Sequence, residues 1–454
     1  MSCIVRHVAD AFWKRAAPLE IVRKHQKKGA SGMKRLMQLL IGLSLVWAMT
    51  AHGADVYRFR GENSQGIFNE KGLLKSWPEE GLSPLWTYTG LGVGWSSVSK
   101  VGNRLFTTGT DAEDKSREIV VCLDLNGKKL WQTVVGKVWQ RAYQGARCTP
   151  TFVPEGAAGE GRLLVLSGSG DIYCLNAADG KVLWNKDIAA TYQSRFGHWG
   201  MAESPVVKDG NVFVVAGGNK ALVVALKIAD GSVVWESKSN HDNCAYVTPA
   251  LVGDQLIVMT ATKVNGVDTK TGEILWESQY SEMAGPVRWG GINCNPPVVK
   301  GNRFFVTAGY NQGGVMYELN ADGKGVKVVW TSKVLDPHHD GVVEIDGKLY
   351  GSNWENNNSG KWVCMDWNTG NVIYEQNWDN LGKGSIQYAD GMLYLYEERR
   401  GTVGLAKPGD KFDVVSKFQI RYGTKEHWAH PTISDGILYV RRGDALAAFD
   451  IRAK

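Results

Sequence analysis

The chain has 454 residues and a formal net charge of +6, and it is rich in Gly (54) and Trp (18). The basic excess lies in residues 1–53, where nine Lys/Arg and two Asp/Glu give +7, so the remainder carries −1. This nearly neutral body argues against nucleic-acid binding, which needs clustered Lys and Arg, and the Gly and Trp content favours many short strands.

The first predicted element is a signal peptide. Lys34 and Arg35 form its positive region, 36–49 its apolar region, and 51–53 supplies small residues where a signal peptidase reads. The apolar run is too short for a membrane span. We therefore place initiation at Met33 and cleavage after Gly53, and expect a periplasmic or secreted protein without a membrane span.

A repeated phrase follows residue 85. It consists of an apolar strand, a polar turn ending in Gly, a short strand and a Trp, as in CLNAADGKVLW (174–184), ALKIADGSVVW (225–235) and GVDTKTGEILW (266–276). A second hairpin phrase precedes each one, as in SPVVKDGNVFVVAG (204–217). Each unit is therefore four antiparallel strands, named A to D here, and the repeat of about 40–55 residues is the period of a propeller blade.

Counting the units predicts a closed ring. Eight aromatic residues occupy the same D-strand position: Trp86, Trp131, Trp184, Trp235, Trp276, Trp330, Tyr374 and Phe418. The last unit ends after strand C, so the N-terminal strand at 85–86 is expected to supply its D strand. We predict an all-β fold, an eight-bladed β-propeller of four-stranded antiparallel blades, over 85–454, with 54–84 as an N-terminal extension. The D-strand Trp side chains are expected to pack against neighbouring blades and to bind no ligand.

The turn phrase resembles the repeat of the pyrroloquinoline-quinone (PQQ) family of propellers. That family includes quinoprotein alcohol dehydrogenases, the outer-membrane assembly scaffold BamB and exported bacterial PQQ-binding-like repeat proteins. The segments Phe59-Arg60-Gly61, Lys75-Ser76-Trp77-Pro78 and Gly94-Trp95-Ser96-Ser97 look like the last group. The resemblance covers about 57–454 and implies the fold, whereas one repeat serves enzymes and scaffolds alike.

The irregular D-to-A connections are predicted to carry function. In a propeller they lie on one face with the B-to-C connections, and loops there commonly bind ligands. All six histidines outside the leader fall in D-to-A connections. The predicted ligand-binding residues are Trp95, Arg147, His198, Trp199, His241, Trp289, His338, His339, His427 and His430. They are expected to bind a small molecule, a glycan or an envelope protein, and no metal.

Two alternatives follow from the resemblance. A PQQ- and calcium-dependent alcohol or sugar dehydrogenase would use Glu203 and Asn295 as calcium ligands and Asp340 as catalytic base. Enzymes of this family typically stack the quinone between a Trp and a disulfide of adjacent cysteines, and this chain has no Cys-Cys pair. A BamB-like envelope scaffold is normally lipid-anchored, and no Cys lies near the predicted cleavage site. We therefore expect a non-catalytic, monomeric binding module with no confident cofactor.

The cysteines divide into two groups. Cys122, Cys174 and Cys364 occupy the same strand-C position in three units, which is typical of core packing. Cys148, Cys244 and Cys294 lie in D-to-A connections, where the sequence leaves open whether any two of them pair.

Overall fold

The computed structural model describes residues 55–156, 159–285 and 291–453, so the predicted leader lies outside the described residues. These residues form eight sheets and three short helices, namely η1 (Glu62–Ser64), α1 (Ile188–Tyr192) and α2 (Tyr280–Ala284). Within them, helices of the length and apolarity needed to cross a bilayer do not occur. The eight-bladed β-propeller predicted from the repeat is confirmed.

The first four blades follow one another along the chain. Blade 1 contains β3 (Ser99–Val101), β4 (Arg104–Thr110), β5 (Arg117–Asp124) and β6 (Lys129–Lys137). Blade 2 contains β7 (Thr151–Pro154), β8 (Gly161–Leu166), β9 (Asp171–Asn176) and β10 (Val182–Asp187). Blade 3 contains β11 (Val206–Lys208), β12 (Asn211–Val215), β13 (Val223–Lys227) and β14 (Val233–Glu236). Blade 4 contains β15 (Ala250–Val252), β16 (Gln255–Met259), β17 (Val264–Asp268) and β18 (Ile274–Ser278).

The remaining blades repeat the pattern and two strands from the N-terminal side join them. Blade 5 contains β19 (Val298–Lys300), β20 (Arg303–Ala308), β21 (Gly313–Leu319) and β22 (Val326–Ser332). Blade 6 contains β23 (Val342–Ile345), β24 (Lys348–Ser352), β25 (Trp362–Asp366) and β26 (Val372–Gln376). Blade 7 contains β27 (Gly384–Ala389), β28 (Met392–Glu397), β29 (Thr402–Lys407) and β30 (Asp413–Gln419), with β1 (Ile67–Phe68) as a fifth strand. Blade 8 contains β31 (Thr432–Ser434), β32 (Ile437–Arg442), β33 (Ala445–Asp450) and β2 (Trp86–Thr89).

The ring closes where the sequence predicts. Strand β2 pairs antiparallel with β33, with Trp86 opposite Ala448, so the N-terminal strand is the D strand of blade 8. Closure pairs the outer edge of the last C strand, which would otherwise be open to another chain.

Five of the six D-strand Trp side chains reach the C–D turn of the next blade, whereas the Trp276 indole donates to Gln255 Oε1 of its own blade at 2.9 Å. The Trp184 indole Nε1 donates a hydrogen bond to Ile228 O at 2.8 Å, and a Cβ added at Gly231 would lie 2.8 Å from the same ring. Gly231 has φ +71, a conformation that glycine adopts without steric cost. Equivalent pairs are Trp86 with Gly127, Trp131 with Gly180, Trp235 with Gly272 and Trp330 with Gly370. The turn glycine therefore gives both the turn conformation and the space for the neighbouring indole.

The N-terminal extension runs along the inner A strands. Val56 bridges to Lys100 in blade 1, and Tyr57 O accepts a hydrogen bond from Phe152 N in blade 2 at 2.7 Å. The Asn63 side chain bonds to both backbone groups of Leu251 in blade 4. Strand β1 then pairs parallel with β27 of blade 7. One extended segment therefore contacts the centre of several blades.

Arg60 anchors this segment inside the ring. Its buried guanidinium donates to Val342 O and Ile386 O, both at 3.0 Å, and to His430 Nδ1 at 2.8 Å. These partners come from three blades, so one side chain ties the extension to blades 6, 7 and 8. Burial lowers the pKa of Arg60 to about 9, which still leaves it charged at neutral pH.

The contact between the turn glycine and the indole predicts a stability difference. Gly231→Ala adds a Cβ at positive φ and against Trp184, whereas Gly210→Ala adds one at φ +75 with nothing within 4 Å. We expect Gly210→Ala to lose about 1 kcal/mol from the backbone alone, and Gly231→Ala to lose a further ~1–3 kcal/mol from overpacking. Urea unfolding of both variants measures this difference. Equal losses would show that the indole is not constrained by the turn.

Candidate functional site

Three aromatic rings meet on the face formed by the D-to-A connections. Because strands within a blade alternate in direction, the D-to-A and B-to-C connections share one end of every sheet. Trp95, Tyr143 and Trp428 precede blades 1, 2 and 8. Their ring centroids are 5.5 Å apart for Trp95–Trp428, 5.0 Å for Tyr143–Trp428 and 6.3 Å for Trp95–Tyr143. Residues distant in sequence thus form one aromatic cluster, as the predicted ring geometry requires.

A cavity of about 510 Å³ lies beside this aromatic cluster. Its lining is Gly92, Val93, Trp95, Thr110, Asp111, Ala112, Lys115, Tyr143, Gln144, Lys425 and Glu426. Tyr143 is 51% exposed, which is unusual for a ring with two aromatic neighbours. The cavity has aromatic faces bordered by charges of both signs, and its volume is in the range of known ligand sites. We therefore take it as the candidate binding cavity.

Arg147 supports the cavity wall from behind. Its guanidinium lies over the Trp95 ring at 5.3 Å and donates to Gly145 O at 2.9 Å and to Ala142 O at 3.1 Å. Burial lowers the pKa of Arg147, and the carboxyl of Glu118 opposes that shift. The side chain therefore fixes the loop that carries Tyr143 and holds Trp95 in place by a cation–π contact.

His338 and His339 lie on the other side of Trp428. The His339 ring centroid is 5.0 Å from that of Trp428 and 4.3 Å from that of His338. His338 Nε2 is hydrogen-bonded to the Tyr310 hydroxyl at 2.8 Å. Burial lowers the pKa of both histidines well below the usual value, so both rings are neutral at neutral pH.

Asn295 fixes the backbone that presents these two histidines. Its amide nitrogen donates to Pro337 O at 2.8 Å, and its oxygen accepts from Gly341 N at 2.9 Å. Asn295 is 1% exposed, so it is a structural clamp between the connections that precede blades 5 and 6.

His430 and His427 are buried and fully engaged. His430 accepts from Arg60 through Nδ1, so its Nε2 carries the proton that is donated to His339 O at 2.8 Å. His427 is hydrogen-bonded through Nδ1 to the Tyr396 hydroxyl at 2.6 Å. Burial lowers the pKa of His430 to about 3 and that of His427 to about 4. Both act as neutral positioning residues, with His430 holding the backbone of His339.

The other predicted site residues lie apart from this cluster. His198 is exposed and its ring contacts Trp199 at 5.0 Å, which in turn contacts Tyr246 at 5.8 Å. His241 is exposed, and its carbonyl accepts from Arg195. Trp289 lies outside the described residues. The structure therefore brings Trp95, Arg147, His338, His339 and His430 together and leaves His198, Trp199 and His241 separate.

Sequence reasoning missed three residues of the site: Tyr143, Tyr310 and Glu398. Tyr143 and Tyr310 lie in irregular connections outside the repeat phrases, so their aromatic character was the only signal. Glu398 follows β28 in a B-to-C turn, next to Arg399 and Arg400. Such a run of charged residues is typical of an exposed turn, so the sequence gives no signal for a buried glutamate.

The residues expected for a calcium-dependent dehydrogenase are engaged elsewhere. Glu203 Oε1 accepts from Val215 N at 2.9 Å, and burial raises its pKa to about 8, so it is protonated at neutral pH. Both polar groups of the Asn295 amide are used by backbone, as described above. Asp340 Oδ2 accepts from Ser352 Oγ at 3.1 Å. Each of these three side chains already has a hydrogen-bond partner in the chain, which a calcium ion would have to share or displace.

The six cysteines within the described residues are free thiols. Cys122, Cys174 and Cys364 are fully buried in the cores between blades, as predicted. Cys148 and Cys244 belong to one apolar cluster without forming a disulfide, and Cys294 is partly exposed.

Comparisons with known proteins place this chain among propellers of two kinds. A family model described as outer membrane protein assembly factor BamB matches residues 116–359. BamB of Yersinia pestis is 26% identical over 184 residues, 38% of this chain and 43% of that protein. A polyvinylalcohol dehydrogenase of Pseudomonas sp is 24% identical over 264 residues, 47% of this chain and 41% of that protein. The matched part spans about two fifths of the length of these curated relatives.

Solved structures share the fold at low identity. BamB from Moraxella catarrhalis has a TM-score of 0.60 and 14% identity, with 81% of this chain and 99% of that chain covered. A quinohemoprotein alcohol dehydrogenase from Comamonas testosteroni has a TM-score of 0.60 and 12% identity, with coverage of 90% and 82%. At such identity the likeness shows the fold alone.

The buried carboxyl of Glu203 predicts a pH-dependent stability. Its pKa rises from 4.5 to about 8 on folding, so unfolding releases a proton between these pH values and the free energy of unfolding falls as pH rises. This one group contributes a slope of about 1.4 kcal/mol per pH unit at most. Glu203→Gln removes the slope, so the variant should gain stability relative to wild type between pH 5 and pH 8.

Urea unfolding at several pH values measures this effect. Glu113→Gln, which replaces an exposed carboxylate, is the matched control and should leave the slope unchanged. A constant difference between Glu203→Gln and wild type across this range would contradict the assignment.

Proposed function

Because this chain belongs to the family of outer membrane protein assembly factor BamB, we propose that it is a binding protein that recognises a protein partner through its D-to-A loop face. The observation that carries the proposal is the cluster of Trp95, Tyr143 and Trp428 beside a cavity of about 510 Å³. The half-exposed Tyr143 ring costs free energy in water, and a partner that covers it recovers that cost.

The lining favours a peptide segment of a protein as the ligand. Aromatic side chains provide large contact areas at low conformational cost and dominate recognition hot spots. Asp111 and Glu426 face Lys115 and Lys425 around the same cavity, so both signs of charge are available to a polypeptide backbone or side chain. A small molecule or a glycan remains the alternative ligand for this cavity.

The route of the N-terminal extension supports the choice of face. The segment from Val56 to Phe68 contacts A strands of several blades, and Arg60 reaches Val342, Ile386 and His430 inside the ring. The extension therefore lies along the inner strands and is tied to His430, and the cavity of about 510 Å³ lies on the loop face.

We further propose that the protein is exported and acts in the bacterial envelope. The predicted signal peptide and the likeness to outer membrane protein assembly factor BamB support this location. A partner in the envelope would then be a segment of another exported protein, and the chain would act as a monomeric module.

A PQQ- and calcium-dependent dehydrogenase is the second hypothesis. The likeness to a polyvinylalcohol dehydrogenase, 24% identical over 264 residues, supports it. The engaged positions of Glu203, Asn295 and Asp340 and the lack of adjacent cysteines count against it. Adding PQQ and Ca²⁺ to the purified protein and following dye reduction with alcohols and aldoses tests it. Saturable binding with turnover would replace the binding-protein hypothesis.

Removal of the exposed ring tests the proposed recognition site. Peptides are selected from a displayed random library on the wild-type protein, and their dissociation constants are then measured by fluorescence anisotropy. Tyr143→Ala should weaken the selected peptides about 10- to 100-fold, the usual loss at a recognition hot spot. Because Tyr143 is half exposed, the variant should unfold at the same urea concentration as wild type.

Leu130→Ala is the matched control for this test. Leu130 is 47% exposed on the outer strand β6, and its truncation should leave peptide affinity unchanged. Equal affinity of wild type and Tyr143→Ala for every selected peptide would remove the cavity from consideration as the recognition site.

A further inference from the structure

Two histidines and a glutamate from different blades meet beside the aromatic cluster. His338 and His339 lie in the connection before blade 6, and Glu398 lies in the B-to-C turn of blade 7. One side-chain ligand atom from each lies within 4.8 Å of the others. Ligand atoms that share one Zn²⁺ at ~2.1 Å are ~3.4 Å apart. Small side-chain rotations would therefore bring these three atoms to the distances that one bound ion requires.

Two of these atoms are buried and have no hydrogen-bond partner. They are His339 Nε2 and Glu398 Oε2, and they face each other at 3.6 Å. His339 Nδ1 lies 3.5 Å from the Asp340 carboxylate, which favours the proton on Nδ1. The Nε2 lone pair then faces a carboxylate oxygen, and two acceptors without a shared proton or cation repel each other.

Neighbouring side chains hold the three groups in this arrangement. Asp340 is buried and accepts from Ser352, and His338 is bonded to the Tyr310 hydroxyl. Lys383 is fully buried and pairs with Glu398 Oε1, which leaves Oε2 directed at His339. Such second contacts orient metal ligands in proteins and set which nitrogen of a histidine is free.

Carboxyl groups and cationic groups lie together behind the two histidines. The carboxyls of Asp340, Glu397 and Glu398 surround the ammonium of Lys383, and the guanidinium of Arg60 lies near Asp340. The positive charge of Lys383 disfavours a positive charge on His338 and His339. The Glu398 carboxylate, which faces His339, is the group that would offset this repulsion for a bound cation.

We propose that His338, His339 and Glu398 bind one divalent transition-metal ion, for which Zn²⁺ is the probe. Two imidazoles and one carboxylate form a donor set typical of such ions and leave a coordination position for water or a ligand atom. Trp428, 5.0 Å from His339, links this site to the aromatic cluster. The proposal is independent of partner binding, since its ligands do not line the cavity.

Zinc titration of the metal-free protein tests the site. The purified chain is stripped with a chelator, and binding of Zn²⁺ is followed by isothermal titration calorimetry. Wild type should bind one Zn²⁺ per chain, and His339→Gln should weaken that binding at least ~10-fold. His339 Nε2 has no partner to lose, so the variant should retain the wild-type circular dichroism.

His241→Gln is the matched control, because His241 is exposed on the same face and does not belong to the cluster. Its affinity for Zn²⁺ should equal that of wild type. Co²⁺ absorption of the wild-type protein is a second measurement that needs no variant, and Zn²⁺ should abolish the visible bands at one equivalent. Absence of Zn²⁺ binding to wild type, or equal affinity of wild type and His339→Gln, would overturn the proposal.

Discussion

The contact between a D-strand indole and the turn glycine of the next blade determines the architecture of this protein. Trp184 fills the space that the missing side chain of Gly231 leaves, and its Nε1 bonds to the backbone of the same blade. The contact recurs at four further junctions between blades. Because five blades bury an outer-strand indole against the next blade, neighbouring sheets stabilise one another in the ring.

The N-terminal extension then ties several blades together from inside the ring. Arg60 is held by backbone oxygens of blades 6 and 7 and by His430, and β1 pairs with an inner strand of blade 7. A buried guanidinium is stable there because hydrogen bonds within the protein replace those that it makes with water in the unfolded chain. Through His430 the same residue also fixes the carbonyl of His339, so the extension contributes to the geometry of the loop face.

The loop face combines two neighbouring sites with different chemistry. The aromatic cluster around Tyr143 is open and bordered by charges, whereas the cluster of His338, His339 and Glu398 is largely buried and has two buried polar atoms without a hydrogen-bond partner. Trp428 contacts both. The proposed metal ligands do not line the cavity, so either site can be occupied without the other.

The sequence alone determined the fold, since the spacing of Gly and Trp shows eight units and a strand at 85–86 that completes the last one. It also predicted a candidate site on the D-to-A face, because strand direction fixes the ends at which connections lie. Only the tertiary structure decided that His339 lies beside Glu398 and Trp428 while His241 stands alone. Those neighbours come from irregular connections of different blades. Their contacts depend on loop conformation, and no repeated sequence pattern predicts the conformation of these loops. The sequence did not predict the contacts of Arg60 for the same reason, because Arg60 lies in an irregular segment outside the repeat.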